Sequence, residues 1–194
     1  MKNLLNLSFI VAGLLAFSTS NVLARTYIVE MIVFTNEGTS AERWDFTSKQ
    51  TVTRRNKISE IYARSKSLNS GEGLSYLAGV FSTLARSTEH RILKTGRWTQ
   101  ESANYQSSPL VKIEHADRSI EGAVRVYAPN LLFAEINLMY APNGDSLSVT
   151  TTASGESTYV EEVYFIDERR RMKLKETHYF DHSKFGVLLT VVPQ

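Results

Sequence analysis

The chain has 194 residues, of which 42% are apolar and 22% charged, with 22 Lys+Arg against 20 Asp+Glu. These are the values of one globular domain, and they exclude a disordered, collagen-like or low-complexity chain. A net charge of +2 lacks the broad basic field that grips nucleic acid, and the absence of cysteine removes disulfides, thiolate metal sites and thiol nucleophiles.

Residues 1–24 read as an export signal. Lys2 gives a short positive start, residues 4–17 are mostly apolar, and Val22-Leu23-Ala24 offers small or modest residues for cleavage before Arg25. The rival reading, a retained membrane anchor, suffers because the apolar run is short for a bilayer span and is broken by Asn6 and Ser8. The expected product is residues 25–194, one domain in the periplasm with no membrane-spanning segment.

Residues 27–34 (YIVEMIVF) predict a strand apolar on both faces except at Glu30, as in a central strand covered above and below. Residues 35–70 are polar and weakly periodic. The stretch 49–66 within them holds Lys49, Arg54, Arg55, Lys57, Arg64 and Lys66 against Glu60. So long a polar segment predicts a short helix near residues 59–64 or else a mobile insertion. Residues 73–88 carry the clearest helical stripe, Leu74, Leu77, Ala78, Phe81, Leu84 and Ala85, and are expected to lie across one face of a sheet. Short strands are then expected at 91–99, 110–115, 121–127 and 131–140, the last with Leu132, Ala134, Ile136, Leu138 and Tyr140 on one face. Pro142-Asn143-Gly144-Asp145 signals a hairpin turn into 147–153, and strands at 158–174 and 186–192 close the chain. The fold class that follows is α+β, an antiparallel meander with one main amphipathic helix packed on one face.

The C-terminal run Arg170-Arg171-Met172-Lys173, continuing through Glu176 and His178-Tyr179-Phe180-Asp181-His182 to Phe185-Gly186-Val187, resembles the RRM…E-x-HYFDH-x-x-FG-V motif of the CsiV family. Tyr27–Phe34 resembles that family's opening strand, Trp98-Thr99-Gln100 its W-x-Q, and Ile120-Glu121-Gly122 through Tyr127 and Leu131–Leu138 its central hairpin. The likeness covers most of the chain after residue 24 except 35–70. Ser183 stands where the family commonly has Pro, and Phe133 where it often has His. The resemblance implies a non-catalytic periplasmic protein that binds peptidoglycan, or supports its synthesis and cell shape, or both. Peptidoglycan is the expected partner, with peptidoglycan-synthesis proteins of the envelope as a further candidate. The competing readings are an envelope scaffold that binds proteins only and an enzyme acting on the cell wall.

The residues allow some of this chemistry to be located. On an expected strand 158–175, even positions Val160, Tyr164, Ile166, Met172 and Leu174 face the core. Odd positions Arg169, Arg171, Lys173 and Lys175 then form a row of cations in solvent, suited to stem-peptide carboxylates or to edge protection. Trp44, Trp98 and Tyr105 have polar neighbours and could stack on sugar rings, with core burial the favoured reading for Trp98. Trp44 joins the cation row as a binding candidate. His178, Tyr179, Asp181 and His182 read as a turn between strands, in which Asp181 accepts backbone N–H groups with the histidines bonded around it. The alternative of a metal held by the two histidines and Asp181 needs a helix at that spacing. Lys94-Thr95-Gly96 matches one element of penicillin-interacting serine enzymes. The Ser-x-x-Lys and Ser-Asp-Asn partners are absent from the sequence, as are Gly-x-Ser-x-Gly and His-Glu-x-x-His. The sequence therefore predicts no catalytic residues, no metal and no cofactor.

Overall fold

A computed structural model describes residues 25–36, 48–67, 73–102, 104–142, 148–151, 157–160 and 162–194. The export-signal reading of residues 1–24, the tip of the 142–145 turn and Trp44 lie outside the described residues. Among the described residues, two four-stranded antiparallel sheets and two helices make an α+β fold. Sheet A has the order β2 (His90–Ser102), β1 (Arg25–Asn36), β10 (Phe185–Pro193), β9 (Thr177–Asp181). Sheet B has the order β3 (Leu110–Glu114), β4 (Ile120–Tyr127), β5 (Phe133–Tyr140), β8 (Tyr164–Arg171). A separate ribbon pairs β6 (Ser148–Thr151) with β7 (Ser157–Val160).

Alternation along each strand sorts side chains to two faces. The inner faces share one core. Sheet A contributes Tyr27, Val29, Met31 and Val33 from β1 and Phe185, Val187, Leu189 and Val191 from β10; sheet B contributes Val124, Val126, Ala134, Ile136 and Leu138. The face expected for β5, from Leu132 to Tyr140, lies wholly in this core. β1 is central, hydrogen-bonded to β2 on one side and β10 on the other, as its two apolar faces require.

Each outer face carries a helix. α1 (Ser48–Arg64) covers sheet B through Ile58, which packs with Met139, Ala141, Val163 and Phe165. α2 (Ala78–Leu84) covers sheet A, where Leu77 and Leu84 meet Ile32 and Phe34. The longer helix is thus in the polar segment, extending well beyond the expected 59–64, and the 73–88 stripe yields only a short helix. The reason is local. The Glu30 carboxylate accepts the backbone N–H groups of Ser75, Tyr76 and Leu77 at 2.8, 2.8 and 2.9 Å, so the chain there is held as an irregular turn before α2 begins.

Two further expectations change. The strand expected over 158–174 splits, because β7 pairs with β6 whereas β8 pairs with β5. β8 also ends at Arg171. Lys175 adopts φ +64° and donates its N–H to Val191 O at 2.9 Å, in the turn that carries the chain from sheet B to sheet A. Leu174, expected in the core, is exposed in that turn.

Candidate functional site

The outer face of sheet B is where the chain collects unusual polar chemistry. Strand register lines up residues distant in sequence. Arg125 of β4, Glu135 of β5 and Arg169 of β8 stand side by side, and the next row is Ala123, Asn137 and Asp167. On the other flank Tyr127 and Phe133 pair, with Arg171 beside them.

Both arginines of the first row sit on aromatic rings. The Arg125 guanidinium lies 4.1 Å from the Tyr105 ring centre, and that of Arg169 lies 5.3 Å from Tyr127 and 5.1 Å from Phe133. Tyr127 stacks on Phe133 at 5.4 Å and meets Tyr105 edge-on at 5.1 Å, so the three rings form one platform. Cation–π contact holds the two guanidiniums in place while leaving their edges for an anion. Burial pushes the Tyr127 hydroxyl pKa up, with nearby Arg169 working against the shift.

Beside the platform, between α1 and the sheet, lies a cavity of about 230 Å³ lined by Glu60, Arg64, Tyr105, Arg125, Glu135 and Asn137, among others. Asn137 has no solvent exposure, yet neither its amide nitrogen nor its oxygen has a hydrogen-bond partner. Arg125 Nε, Tyr127 OH and Glu135 Oε2 are likewise buried without one. Each such group costs about 1–3 kcal/mol if it stays unmet. Four neighbouring residues in that condition leave donors and acceptors beside the cavity that the chain itself does not meet and that water or a ligand can satisfy.

α1 is fastened to sheet B by polar contacts along its length. Lys57 Nζ lies 2.5 Å from Asp167 Oδ2. Tyr62 donates its hydroxyl to Glu114 beneath the Lys112 ammonium, which lies 4.4 Å from the ring centre. The Glu114 bond, followed by burial, pushes the Tyr62 pKa up to about 12. Lys66, just past the helix, bridges to the edge of β3 through Leu110 O and the Lys112 N–H, each at 2.9 Å.

The proposed cation row is placed in two parts. Arg169 and Arg171 are exposed on the outer face of β8, as the parity predicts. Lys173 and Lys175 lie beyond the strand in the following turn, with Lys173 Nζ 3.3 Å from Glu176. The RRM run therefore alternates in role. Arg169 and Arg171 face outward and Met172 enters the core. Arg170 ties β8 to β9 by donating to Tyr179 O at 2.8 Å over the Phe180 ring. Trp98 is buried, and its Nε1–H donates to Gln100 Oε1 at 2.7 Å; the Gln100 amide donates in turn to Val126 O at 2.9 Å in the facing sheet. Tyr105 is 40% exposed, but one of its faces is taken by Arg125.

The HYFDH segment is a strand and not only a turn: β9 runs to Asp181, and the reversal covers residues 182–184. Its alternation, with Phe180 buried between exposed Tyr179 and Asp181, was legible but too short to register as a strand. The hydrogen-bond roles are also exchanged. His178 Nε2 accepts the Lys173 N–H at 3.1 Å and His182 Nδ1 accepts the Lys184 N–H at 3.2 Å. Asp181 instead takes the Tyr179 hydroxyl at 2.5 Å. Tyr179 stacks on Phe34 at 5.9 Å and crosses β10 at Gly186, where a Cβ would meet its ring at 2.4 Å. The glycine of the motif is the seat of that tyrosine. Among the described residues, no group of three or more His, Asp or Glu converges as metal ligands would.

The residues missed by sequence reasoning are Arg125, Glu135, Asn137 and the platform of Tyr127 and Phe133. Only strand register brings them beside Arg169, and register is not written in local periodicity. Among the described residues, no helix is long and apolar enough to cross a membrane. No curated protein and no solved structure matches the chain. One family model does, that of "Peptidoglycan-binding protein, CsiV", over residues 4–194. With nearly the whole length matched, the chain belongs to the CsiV family of peptidoglycan-binding proteins.

Proposed function

We propose that this protein acts in the periplasm, after loss of residues 1–24, as a non-catalytic binder that holds peptidoglycan on the outer face of sheet B and thereby supports peptidoglycan synthesis and cell shape. The observation that carries this reading is the pair of arginines, Arg125 and Arg169, mounted on Tyr105, Tyr127 and Phe133. Guanidiniums held on rings suit bidentate contact with carboxylates, which peptidoglycan carries on its peptide stems. Partly exposed charges act in water, so each contact is weak and salt-sensitive, and binding depends on several made together along a polymer. Lys173 and Lys175 sit apart in their turn and contribute little.

Co-sedimentation with purified sacculi tests the reading. The parent should sediment at low salt and progressively less as salt rises. The double substitution Arg125→Gln, Arg169→Gln should weaken sedimentation by about tenfold, while changing Lys173 and Lys175 to Gln should leave it nearly intact. Unchanged sedimentation of the arginine double variant would overturn the assignment.

A further inference from the structure

The cavity beside the arginine platform has a chemistry of its own. At about 230 Å³ it falls below the usual range of small-molecule pockets, about 300–1,000 Å³, so it suits a piece of a polymer rather than a whole compact ligand. Its lining pairs both signs of charge, Arg64 and Arg125 with Glu60 and Glu135, around the fully buried Asn137. An unmet carboxamide presents N–H donors and a carbonyl acceptor side by side, which can pair with the C=O and N–H of a peptide unit. Mixed charges around it match a ligand bearing a carboxylate and an ammonium.

A bare sugar fits less well. Sugar sites offer open aromatic faces, and here Arg125 already lies over Tyr105 while Arg169 lies over Tyr127 and Phe133. The solvent-side wall is built from Glu60 and Arg64 of α1, exposed side chains that turn aside at low cost to admit a ligand.

We infer that this cavity receives one or two residues of a charged peptide, with Asn137 bonding a peptide amide and Arg64 and Arg125 taking its carboxylate. Resting on the proposed binding of peptidoglycan at this face, the inference assigns recognition to the peptide stem and not to the glycan strand.

The test uses two probes made from sacculi by an amidase: the freed stem tetrapeptide and the stem-free glycan. The stem peptide should bind the purified protein in a titration and release it from intact sacculi, and the stem-free glycan should do neither. Asn137→Leu should lower stem-peptide affinity at least tenfold while its unfolding midpoint stays level or rises, because an apolar group of similar shape relieves an unmet buried amide. Arg64→Gln lies on the exposed wall, where folding is not at stake, and should lower the affinity about threefold to tenfold. Competition by stem-free glycan, or parental affinity in both variants, would overturn the peptide assignment while leaving sacculus binding standing. Failure of the parent to sediment with sacculi at any salt would instead overturn the underlying function.

Discussion

Glu30 sits mid-strand on β1 with a carboxylate that is only 1% exposed, and its burial is compensated by three backbone N–H donors and by Arg97, whose Nε lies 3.3 Å away. A buried carboxylate is tolerable only with such partners. In the sequence it looked like an interruption of an apolar strand; in the fold it is the peg on which the approach to α2 hangs. Glu30→Gln puts an amide N–H₂ against groups that already donate, and should cost about 2–4 kcal/mol in urea unfolding, with α2 loosened first. A loss below about 0.5 kcal/mol would mean that the donors find water instead. Gly122 is the counterpart beside the candidate site. Its φ is +145°, and a Cβ there would lie 2.0 Å from Asn137 O, so the EG pair of the family motif keeps β4 tight against the strand that carries Asn137.

At the scale of elements, the β9–β10 hairpin and α1 behave differently. His178 and His182 both accept backbone N–H groups, which requires the ring nitrogen to be unprotonated. Burial lowers both pKa values from the ordinary 6.5, opposed by Glu176 at His178 and by Asp181 at His182, and reinforced by Arg170 and Lys173 at the first and by Arg54 and Lys184 at the second. Since each folded value lies below the unfolded one, the contribution is complete above about pH 6.5 and is lost as pH falls through the lowered values. As pH falls from 7 to 5, intrinsic exchange slows, and β9 and the 182–184 turn should slow less than it does, an excess rate that reports their falling protection. A double His→Gln variant should not show that excess, and a hairpin whose protection ignored pH would contradict the assigned acceptor roles.

α1 depends on few apolar anchors, chiefly Ile58 and Ile61, the first 1% exposed. Its weak stripe explains why only its last turns were expected from the sequence, whereas β5 was legible because its alternation runs unbroken from Leu132 to Tyr140. Ile58→Ala should cost about 2–4 kcal/mol by leaving a void against Met139 and Phe165. Because α1 walls the cavity, the same change should weaken sacculus binding even where the protein remains folded. Full binding by a folded, destabilised variant would separate α1 from the site.

For the whole molecule, the two sheets divide the labour. Sheet A joins the first described strand to the last and holds most of the family's C-terminal motif: Phe180 and Phe185 in the shared core, Tyr179 over Gly186, and the histidines around the turn. Those residues carry the family resemblance, and the contacts they make here are with the chain itself. Sheet B presents Arg125, Glu135, Asn137 and Arg169 from three strands, and this juxtaposition could not be read from a sequence in which they are spread over more than forty positions. The most direct test of the account is amide hydrogen exchange across the protein with and without soluble peptidoglycan fragments that retain their stems. Binding on the outer face of sheet B should slow exchange in α1, in the 104–109 loop that carries Tyr105 and in β3–β5, leaving α2 and the outer face of sheet A unchanged. Protection centred on α2 and sheet A, with α1 and the 104–109 loop unaffected, would contradict it.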